Sequence, residues 1–591
     1  MPLAARLPAR DLAQRTDSPT LNGAPALNGQ TRRWHVAPPT PEADARALGP
    51  LPPIVAHLLY RRGLREPAET SDFLNAAEAL FEDPATLPDT GPAMERIAAA
   101  KRSGEPVAVY GDFDADGVTG TALLVKALAR YGLDTRSYIP HRVTEGHGLN
   151  DGAIDRLAEG GVRLIVTVDC GVTDANQVAH ARERGIDVIV TDHHLLSGEL
   201  PGAVAIINPH AAHSAYGFDH LTGVGMVLKL AQALLEPEHG AAWSRDLMEL
   251  AAIGTITDMA PLLGENRYIV SRGLEHLKRT SSLGLQALMT AARVDPEHVT
   301  AESIGFGIGP RLNAAGRLDH ADLAYELLTT DDRSRAGALV AELEGYNTQR
   351  RALTEETLER CHELLTGAVP PVIVVGDAAF NPGVVGLVAG RLAEEFGAPA
   401  VVYGLDGDRV MASCRGAPNF HWANALAACD DLLLRYGGHA QAAGFACDAA
   451  VLPELTERLN AIAVEQLGDA VRSTDGTVDA EVALPDLMGE VLRGLRQMEP
   501  FGIGNPPPLF LTRGVAVERA STMGADGKHF RMTLKAGGAT WDAVAFRQSW
   551  LSGTTAVDIV YSLDVDHWNG QPRLRLTVQD YAPSVQPRLS L

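Results

Sequence analysis

Residues 107–117 read Val-Ala-Val-Tyr-Gly-Asp-Phe-Asp-Ala-Asp-Gly, and this stretch decides the fold. Its apolar run predicts a buried strand, and three aspartates, Asp112, Asp114 and Asp116, follow at every second position. Residues two apart in an extended chain point to the same side, so the carboxylates can converge. Adjacent unpaired carboxylates repel one another and need a cation, and oxygen ligands suit Mg²⁺ or Mn²⁺. An acidic turn that caps a helix over about 118–130 explains these residues equally well.

Two further strands end in metal-binding residue types. The apolar run 163–168 ends at Asp169, and the run 187–191 ends at Asp192-His193-His194. Helical segments separate these runs, and such alternation predicts a parallel sheet with helices on both faces. Ligands of such sheets collect beyond the carboxyl ends of the strands, at a switch in strand order. Three clusters at strand ends of one sheet therefore favour a metal site over separate surface turns.

A fourth element is the apolar segment 250–257, which ends in Asp258, and Pro261 stops a helix there. Taken alone, Asp258 has a structural explanation, because helix ends often carry polar residues. Histidines His141 and His147 lie in a glycine-containing loop near the predicted site and are expected to play a supporting part. The glycine-containing turn at 222–227 lacks the spacing of a phosphate-binding motif, which favours helix packing.

These motifs together resemble the DHH phosphoesterase superfamily and, within it, the RecJ family of bacterial single-strand-specific DNA exonucleases. The resemblance covers about residues 50–580. The segments that carry it are 112–117, Asp169, 192–194, 257–259, 309–317 and 437–444.

The resemblance implies an α/β fold, in which a parallel-sheet DHH domain is linked by a long helix to a smaller α/β DHHA1 domain. Short alternating strands after the proline-rich 505–508 predict a C-terminal β-barrel, and an OB-fold is the family expectation. The expected domains are a flexible N-terminal extension and short helices (1–75), the DHH catalytic domain (76–330), the connecting helix (331–366), the DHHA1 domain (367–465), and a linker with the OB-fold nucleic-acid-binding domain (466–591).

The mechanism that this resemblance implies is two-metal phosphodiester hydrolysis, with Mn²⁺ or Mg²⁺ as the ions. One ion is expected among Asp116, Asp169, His193 and Asp258, and the other among Asp112, Asp114 and Asp169. The shared Asp169 would set their separation near ~4 Å. His194 would orient the phosphate or a ligand, and His439 would face the metals across the cleft. The residues predicted to take part in catalysis are Asp114, Asp116, His194 and His439.

Arginines and a strand end supply candidate contacts to nucleic acid. The glycine-rich stretch 305–317, interpreted as a flexible loop, carries Arg311, Asn313 and Arg317, whose guanidiniums could follow a phosphate backbone. Salt bridging with the abundant acidic residues is the alternative. Arg350 could face the cleft from the connecting helix.

Further candidates come from the second half of the chain. Ser413 and Arg415 follow a strand end that suits a terminal 5′ phosphate, and Gly438 precedes His439 in the DHHA1 motif. In the barrel, Phe530 and Trp568 are candidate platforms for base stacking, although barrel aromatics more often belong to the core. Asn381 stands where relatives commonly carry a histidine, which puts direct catalytic use of that position in doubt.

Composition limits the class of protein. The net charge of −23 argues against a strong, indiscriminate duplex binder but permits a narrow basic channel. Five cysteines without a Cys-x-x-Cys pair fit a reducing cytoplasm, and no apolar run is long enough to span a bilayer. We therefore expect a cytoplasmic, monomeric enzyme. The family implies single-stranded DNA as substrate, with a single-strand-binding protein and a repair helicase as possible partners.

The function predicted from the sequence is a 5′-to-3′ exonuclease that hydrolyses single-stranded DNA to nucleotides in DNA repair and recombination. One alternative is a DHH-family phosphodiesterase acting on oligoribonucleotides or cyclic dinucleotides, although the extra barrel and the chain length disfavour it. A non-catalytic single-strand-binding scaffold is the other alternative. Decay to a scaffold would be expected to lose ligands, and here every motif acid is present.

Overall fold

A computed structural model describes residues 20–22, 33–196, 198–212, 214–417, 419–468, 476–524, 529–546, 548, 550, 553–566 and 573–584. Within these ranges the chain forms three separate sheets that matter for the site, each with its own core. No helix in the described ranges is long and apolar enough to cross a bilayer.

A five-stranded parallel sheet carries the predicted acidic site. In sheet order its strands are Thr135–Tyr138, Val107–Tyr110, Leu164–Thr167, Asp187–Thr191 and Ala205–Ile207. Val107–Tyr110 is the first of these five strands along the chain, and it lies inside the sheet. The next strand along the chain pairs on one side of it, and the later strands lie on the other side. The switch in strand order therefore lies beside Val107–Tyr110, which is where parallel sheets bind ligands.

Helices cover both faces of this sheet, as the alternating sequence pattern predicts. The helices of this part of the chain, some of which pack on other helices, are Thr90–Ser103, Ala115–Tyr131, Asp151–Glu159, Ala175–Glu183, Gly223–His239, Arg245–Thr257, Gly264–Leu277, Leu283–Ala291, Gly309–Leu318 and Asp322–Thr329. The largest core includes Val109, Val166 and Leu228, all completely buried.

The structure corrects the explanation of why the three aspartates converge. The strand ends at Tyr110 and the helix begins at Ala115, so Asp116 lies in the first helical turn and not in an extended chain. The two-residue alternation therefore fails for Asp116, and its carboxylate joins a different group from those of Asp112 and Asp114. The capping alternative is also true in part, because Asp114 is the N-cap of that helix.

The glycine-rich stretch 305–317 is not a flexible loop, so that interpretation was wrong. Residues Ile304–Ile308 form a single π-helical turn that continues into the helix Gly309–Leu318. The glycines permit close packing: a Cβ on Gly309 would lie 2.4 Å from Thr257 Cγ2, and a Cβ on Gly316 would lie 2.4 Å from the Phe113 carbonyl oxygen. These glycines therefore allow the helix to contact its neighbours closely, and they do not make the segment flexible.

The predicted connecting helix spans Arg333–Leu364 and is capped by the Asp332 carboxylate. It leads into a five-stranded mixed sheet, covered by the helices Val385–Phe396, Trp422–Ala427 and Leu452–Leu467. In sheet order the strands are Arg435–Gly438, Ala442–Asp448, Arg409–Arg415, Ala400–Asp406 and Ile373–Gly376. The predicted second α/β unit is thereby confirmed.

The C-terminal part forms the predicted barrel. Its strands, in order around the barrel, are Phe510–Met523, His529–Ala536, Ala539–Phe546, Arg573–Pro583 and Ala556–Asp566, and the last pairs again with the first. Phe530 is completely buried in the barrel core, so the prediction that its ring stacks on a base was wrong. The alternation of apolar residues along its strand points Phe530 inward. Trp568 lies outside the described residues.

The described part of the N-terminal segment contains paired strands and three helices. Arg33–Val36 pairs with Thr20–Asn22 and with Gly476–Val478, and the helices Glu42–Ala47, Pro53–Arg61 and Pro67–Asn75 follow. The expected flexibility was therefore wrong for residues 33–36, because they pair in a sheet and bury Trp34 and Val36. Residues 1–19 and 23–32 lie outside the described part. The bounds of the five domains predicted from the sequence remain predictions.

Candidate metal centre

Metal-binding side chains meet at the switch point of the parallel sheet. Asp112, Asp114 and Asp169 form one group, and Asp116, His193 and Asp258 form a second. A third group, Asp169, His193 and His194, overlaps these two. Within each group, one ligand atom per residue lies within 4.8 Å of the others. Asp169 also belongs beside the second group, because its Oδ1 lies 3.1 Å from His193 Nε2. The six side chains from four separate motifs are thus brought together.

Asp169 has the geometry expected of a residue shared by two ions. It follows the strand Leu164–Thr167 and has a φ of 62°, an uncommon conformation for a residue with a side chain. Its side chain is 5% exposed, and its Oδ1 accepts no hydrogen bond. Since buried polar atoms almost always have partners, a buried carboxylate oxygen that accepts no hydrogen bond fits a metal ligand.

Asp116 is held by the start of a neighbouring helix. Its two carboxylate oxygens accept hydrogen bonds from the backbone N–H groups of Gly223 (2.7 Å) and Val224 (2.9 Å). A Cβ on Gly223 would lie 2.4 Å from Asp169 Cβ, and one on Gly254 would lie 2.7 Å from Asp116 Oδ1. The glycine-containing turn at 222–227 therefore permits close packing, as predicted, and in addition orients a metal-binding carboxylate, which the sequence did not indicate.

The carboxylates in this cluster are electrostatically incompatible with one another in the absence of a cation. Burial and the neighbouring Asp116 and Asp114 raise the pKa of Asp258 to about 9. Burial and Asp114 raise the pKa of Asp116 to about 7, and burial and the surrounding aspartates raise the pKa of Asp169 well above its usual range. A divalent ion offsets this repulsion, so the donor set fits Mg²⁺ or Mn²⁺.

His193 has the charge state that a ligand requires. Burial and the neighbouring His194 lower its pKa to about 3, so the imidazole is neutral at pH 7 and has a free lone pair. Its Nε2 also lies 3.9 Å from Asp258 Oδ2. The mixed nitrogen and oxygen donors of this group differ from the three carboxylates of the other group.

A row of histidines crosses the cleft from the parallel sheet to the second α/β unit. The rings of His147, His194 and His439 are 5.5 Å apart at each step, and those of His194 and His439 are nearly parallel. His439 follows Gly438, which has a φ of 133°. Gly438 also leaves no room for a side chain, since a Cβ there would lie 2.4 Å from Ala443 Cα. His439 thus lies beside His194, and its predicted role at the metals remains a prediction.

Two carboxylates orient these histidines. Asp192 Oδ1 lies 2.7 Å from His194 Nδ1, and Asp112 Oδ1 lies 3.0 Å from His147 Nδ1. Burial alone would raise the pKa of Asp192, but the hydrogen bond and charges of the histidines lower it to about 2. Burial would lower the pKa of His147, whereas the contact with Asp112 raises it to about 9. The supporting part expected of His147 agrees with this contact.

Arg142, Arg317 and Arg415 form a basic cluster beside the acidic one. None of them has a carboxylate partner within 4 Å among the described residues, although the chain has 74 acidic and 51 basic residues. Burial and the charges of Arg142 and Arg415 lower the pKa of Arg317 to about 9. Guanidiniums that are crowded, partly buried and without carboxylate partners favour binding of an anion.

Backbone contacts hold the basic cluster in place. Arg142 Nε donates to the Gly316 carbonyl (3.0 Å), and Arg317 Nη1 donates to the Gly383 carbonyl (3.2 Å). Arg142 was not predicted from the sequence, although its loop follows a strand of the parallel sheet at the edge that binds ligands.

Ser413 and Arg415 lie beside the start of the helix Val385–Phe396. A Cβ on Gly386 would lie 3.0 Å from Arg415 Nη2 and 3.4 Å from Ser413 Oγ. The N-terminus of a helix carries free N–H groups and partial positive charge, so the helix and Arg415 favour the same kind of ligand.

The other predicted contacts are occupied within the protein. Arg311 is 9% exposed and bonds to Glu344 and to the Gly307 carbonyl, which favours the salt-bridge alternative over contact with DNA. Asn313 accepts a hydrogen bond from Ala115 N at 2.9 Å and so supports the metal loop. Asn381 likewise closes a turn by accepting from Gly383 N.

Arg350 differs from these residues. Its Nη2 donates to Asn347 Oδ1 at 2.9 Å, but its Nε is buried without a hydrogen-bond partner. Arg350 thus has no carboxylate partner within 4 Å among the described residues, unlike Arg311. The roles assigned to these side chains remain predictions.

Comparison with known proteins agrees with this geometry. Residues 106–255 match the N-terminal domain of the DHH family, residues 369–465 match the DHHA1 domain, and residues 478–580 match the RecJ OB domain. The single-stranded-DNA-specific exonuclease RecJ of Thermus thermophilus is 37% identical over 551 residues, which cover 91% of this chain and 77% of that protein. The chain belongs to the RecJ family.

Other RecJ proteins support the same assignment. RecJ of Bacillus subtilis is 36% identical over 540 residues, covering 90% of this chain and 68% of the relative. The crystal structure of Thermus thermophilus RecJ in complex with Mn²⁺ superimposes with a TM-score of 0.79 at 34% identity, covering 94% of this chain and 80% of that one. The corresponding Mg²⁺ complex gives a TM-score of 0.74 at 32% identity and covers 94% and 79% of the two chains. The RecJ fold is thus shared across all three sheets.

Proposed function

We propose that this chain is a 5′-to-3′ exonuclease that hydrolyses single-stranded DNA to nucleotides, with two Mn²⁺ or Mg²⁺ ions, in DNA repair and recombination. One observation carries the proposal. Two groups of metal ligands share Asp169 and lie opposite His439, and beside them is a guanidinium cluster that has no carboxylate partner within 4 Å among the described residues. Relatives that are 30–37% identical are named single-stranded-DNA-specific exonucleases, which supports the same activity.

The residues have distinct tasks in the proposed hydrolysis. Asp112, Asp114 and Asp169 would hold one ion, and Asp116, His193, Asp258 and Asp169 the other. Such ions activate water and neutralise the charge that develops on the phosphate and the leaving oxygen. His194, fixed by Asp192, and His439 would together bind the scissile phosphate, because their ring centres lie only 5.5 Å apart.

The basic cluster would give the enzyme its polarity. A terminal 5′ phosphate would bind to Ser413, Arg415, Arg317 and Arg142 at the start of the helix Val385–Phe396. Burial lowers the pKa of Arg142, and the charges of Asp112 and Asp114 raise it, so this cluster lies on the side of the metal centre that those two aspartates occupy. A strand held there by its 5′ end would present its first phosphodiester bond to the metals.

The test uses purified full-length protein with Mn²⁺ or Mg²⁺ and end-labelled DNA. Single strands with a 5′ phosphate should be degraded from the 5′ end, and duplexes should resist. The variant Asp114→Ala should release no nucleotides but still bind single strands, whereas Asp331→Ala, an exposed aspartate outside both ligand groups, should behave as the unmodified protein. Activity that survives in Asp114→Ala would contradict the proposal.

Substrate length separates this function from hydrolysis of small substrates. A phosphodiesterase for oligoribonucleotides or cyclic dinucleotides would lose activity as the strand becomes longer, whereas the proposed exonuclease would not. A scaffold would bind single strands and hydrolyse none of these substrates.

We also propose that the protein acts as a cytoplasmic monomer together with a single-strand-binding protein and a repair helicase. All five cysteines are buried and form no disulfide, which fits a reducing compartment. Sedimentation of the purified protein tests the monomer, and stimulation of nucleotide release by each added partner tests the cooperation. A dimer in sedimentation, or no stimulation, would contradict the corresponding part.

A further inference from the structure

Three consecutive polar residues are buried at the start of the helix Gly264–Leu277. Glu265 is 1% exposed, and Asn266 and Arg267 are completely buried. Burial of polar and charged side chains is unfavourable unless hydrogen bonds compensate for it. The proposed hydrolysis uses none of the three, although they follow shortly after the metal-binding Asp258.

The amide of Asn266 joins two backbone turns that are distant in the chain. Its Nδ2 donates to the His220 carbonyl at 2.6 Å and to the Pro261 carbonyl at 3.1 Å. Both amide hydrogens are thus used, and one side chain fixes the distance between the two turns. Each turn leads directly to a ligand of the second metal-binding group.

The turn at His220 leads to the helix start that holds Asp116. Thr222 is the N-cap of the helix Gly223–His239, and the first two N–H groups of that helix donate to the Asp116 carboxylate. Only Leu221 and Thr222 lie between His220 and this helix. A shift of the His220 carbonyl would therefore move the N–H groups that orient Asp116.

The turn at Pro261 carries Asp258 itself. Residues 258–263 belong to no helix or strand, and Met259 has a φ of 60°. The shape of such a turn depends on the contacts of its backbone, and the Pro261 carbonyl is held by Asn266. One amide therefore controls the placement of both carboxylates of the second group.

The acceptor atom of the same amide indicates a role beyond stability. Asn266 Oδ1 is buried and has no hydrogen-bond partner among the described residues. A buried acceptor without a partner lowers stability, and such exceptions to the usual pairing require an explanation. An amide whose two donors are used and whose acceptor is not fits a residue that serves the two carbonyls it holds.

A buried ion pair beside Asn266 joins the same two helices. Glu265 accepts a hydrogen bond from Lys229 Nζ at 2.8 Å, and neither side chain is exposed. Lys229 lies on the helix Gly223–His239, and the Tyr216 hydroxyl donates to the other carboxylate oxygen of Glu265. Asn266 therefore acts between elements that are already fixed to each other.

The first ligand group is supported by other residues. Its loop is held by Asn313, which accepts a hydrogen bond from Ala115 N at 2.9 Å. The side-chain hydrogen bonds of Asn266 go instead to the two turns of the second group. Loss of the Asn266 amide should therefore affect one ligand group and spare the other.

We propose that Asn266 is a positioning residue of the metal centre, which holds the His220 and Pro261 carbonyls together and so keeps Asp116 and Asp258 at the separation that one divalent ion requires. This role rests on the proposed function, because it concerns one of the two proposed ions. Asn266 contacts neither the ion nor the substrate. Side chains that orient metal ligands in this way contribute about 10- to 100-fold to metal affinity.

Mn²⁺ binding to the full-length protein without DNA tests this role. Calorimetry measures the affinity of each site, and nitrogen hyperfine coupling in pulsed electron paramagnetic resonance identifies the ligand group that contains His193. In Asn266→Ala the ion of that group should bind roughly 10- to 100-fold more weakly. The nitrogen coupling should then appear only at higher Mn²⁺, while the ion held by carboxylates alone keeps its affinity.

Two control variants separate this effect from a loss of stability. Asn460→Ala removes an amide that likewise joins two segments, through the Val372 N–H and the Thr456 carbonyl of the second α/β unit, and should leave both affinities unchanged. Arg267→Met removes the adjacent buried guanidinium, which donates to carbonyls of other segments. It should destabilise the fold without a selective loss of Mn²⁺. If Asn266→Ala does not fold, Asn266→Ser, which keeps one donor, should show a smaller loss at the same ion.

Three results would overturn the positioning role. They are unchanged Mn²⁺ affinities in a folded Asn266 variant, an equal loss at both ions, and the same selective loss in Arg267→Met. If the unmodified protein released no nucleotides from single-stranded DNA, the proposed function would fail, and Mn²⁺ binding would still decide the role of Asn266.

Discussion

Replacing Arg415 by methionine tests the proposed 5′-phosphate site most directly. The Arg415 guanidinium donates to the Cys414 carbonyl at 2.8 Å and has no carboxylate partner within 4 Å in the described chain. Burial lowers its pKa, and the nearby charge of Arg142 lowers it further. A bound phosphate would relieve this repulsion, and methionine keeps most of the apolar length without the charge.

The magnitude follows from the number of interactions that are lost. A hydrogen bond to a charged group contributes about 1.5–3 kcal/mol, which corresponds to roughly a 10- to 150-fold loss of kcat/KM on a 5′-phosphorylated strand. Arg142 and Arg317 remain in the cluster, so activity should fall but not vanish. A strand with a 5′ hydroxyl lacks the group that Arg415 would bind, and its hydrolysis should change little.

The assay measures kcat/KM for the same sequence with each 5′ end, for the unmodified protein and for Arg415→Met. Arg391→Met is the matched control, because that arginine lies on the adjacent helix but pairs with Glu355 at 2.9 Å. The reasoning is refuted if Arg415→Met slows both substrates equally, because the guanidinium would then act on something other than the terminal phosphate.

Three further results are expected. Asp169→Asn should lower nucleotide release roughly a thousandfold or more and weaken Mn²⁺ binding in calorimetry, because one neutral side chain affects both ligand groups; full activity would exclude a shared ligand. Mn²⁺ should bind more tightly as pH rises from about 6 to 9, since protons compete for Asp116 and Asp258. Because the pKa of Asp258 is raised in the folded protein, its contribution to stability is present below the pKa of the unfolded chain and is lost as the pH rises through about 9. Mn²⁺ should therefore raise the Tm more at high pH, and an equal gain at low and high pH would contradict this. Arg267→Met should lower the free energy of unfolding by at least about 3 kcal/mol in thermal or urea unfolding, because the completely buried guanidinium donates to four backbone carbonyls; a near-neutral change would show that those carbonyls find other partners.

Much of the metal centre could be predicted from local sequence patterns. Each acidic motif follows an apolar run, and the carboxyl ends of parallel strands must meet at one edge of the sheet. This argument brought Asp112, Asp114 and Asp169 together without coordinates. The same argument did not predict that Asp116 lies in a helix. Periodicity over only a few residues cannot distinguish the end of a strand from the start of a helix.

The burial of individual side chains, and their pairing with residues distant in the chain, could not be predicted from the sequence. Glycines at 305–317 have the composition of a loop, but contacts with Thr257 and Phe113 make them a helix surface. Phe530 and Arg311 are of residue types that bind nucleic acid, yet one lies in the barrel core and the other is paired with Glu344. Whether an arginine is free depends on partners that are distant in the chain, which no local pattern records.

The sequence by itself determined the parallel sheet, the long connecting helix and the barrel, and it predicted which side chains would hold metal, because periodicity and strand-end position are local properties. Only the tertiary structure decided which carboxylates share a group, that the start of the helix Gly223–His239 holds Asp116, and that Arg142 joins Arg317 and Arg415. The physical reason is that electrostatic and packing energies depend on distances between residues that the chain separates by tens to hundreds of positions.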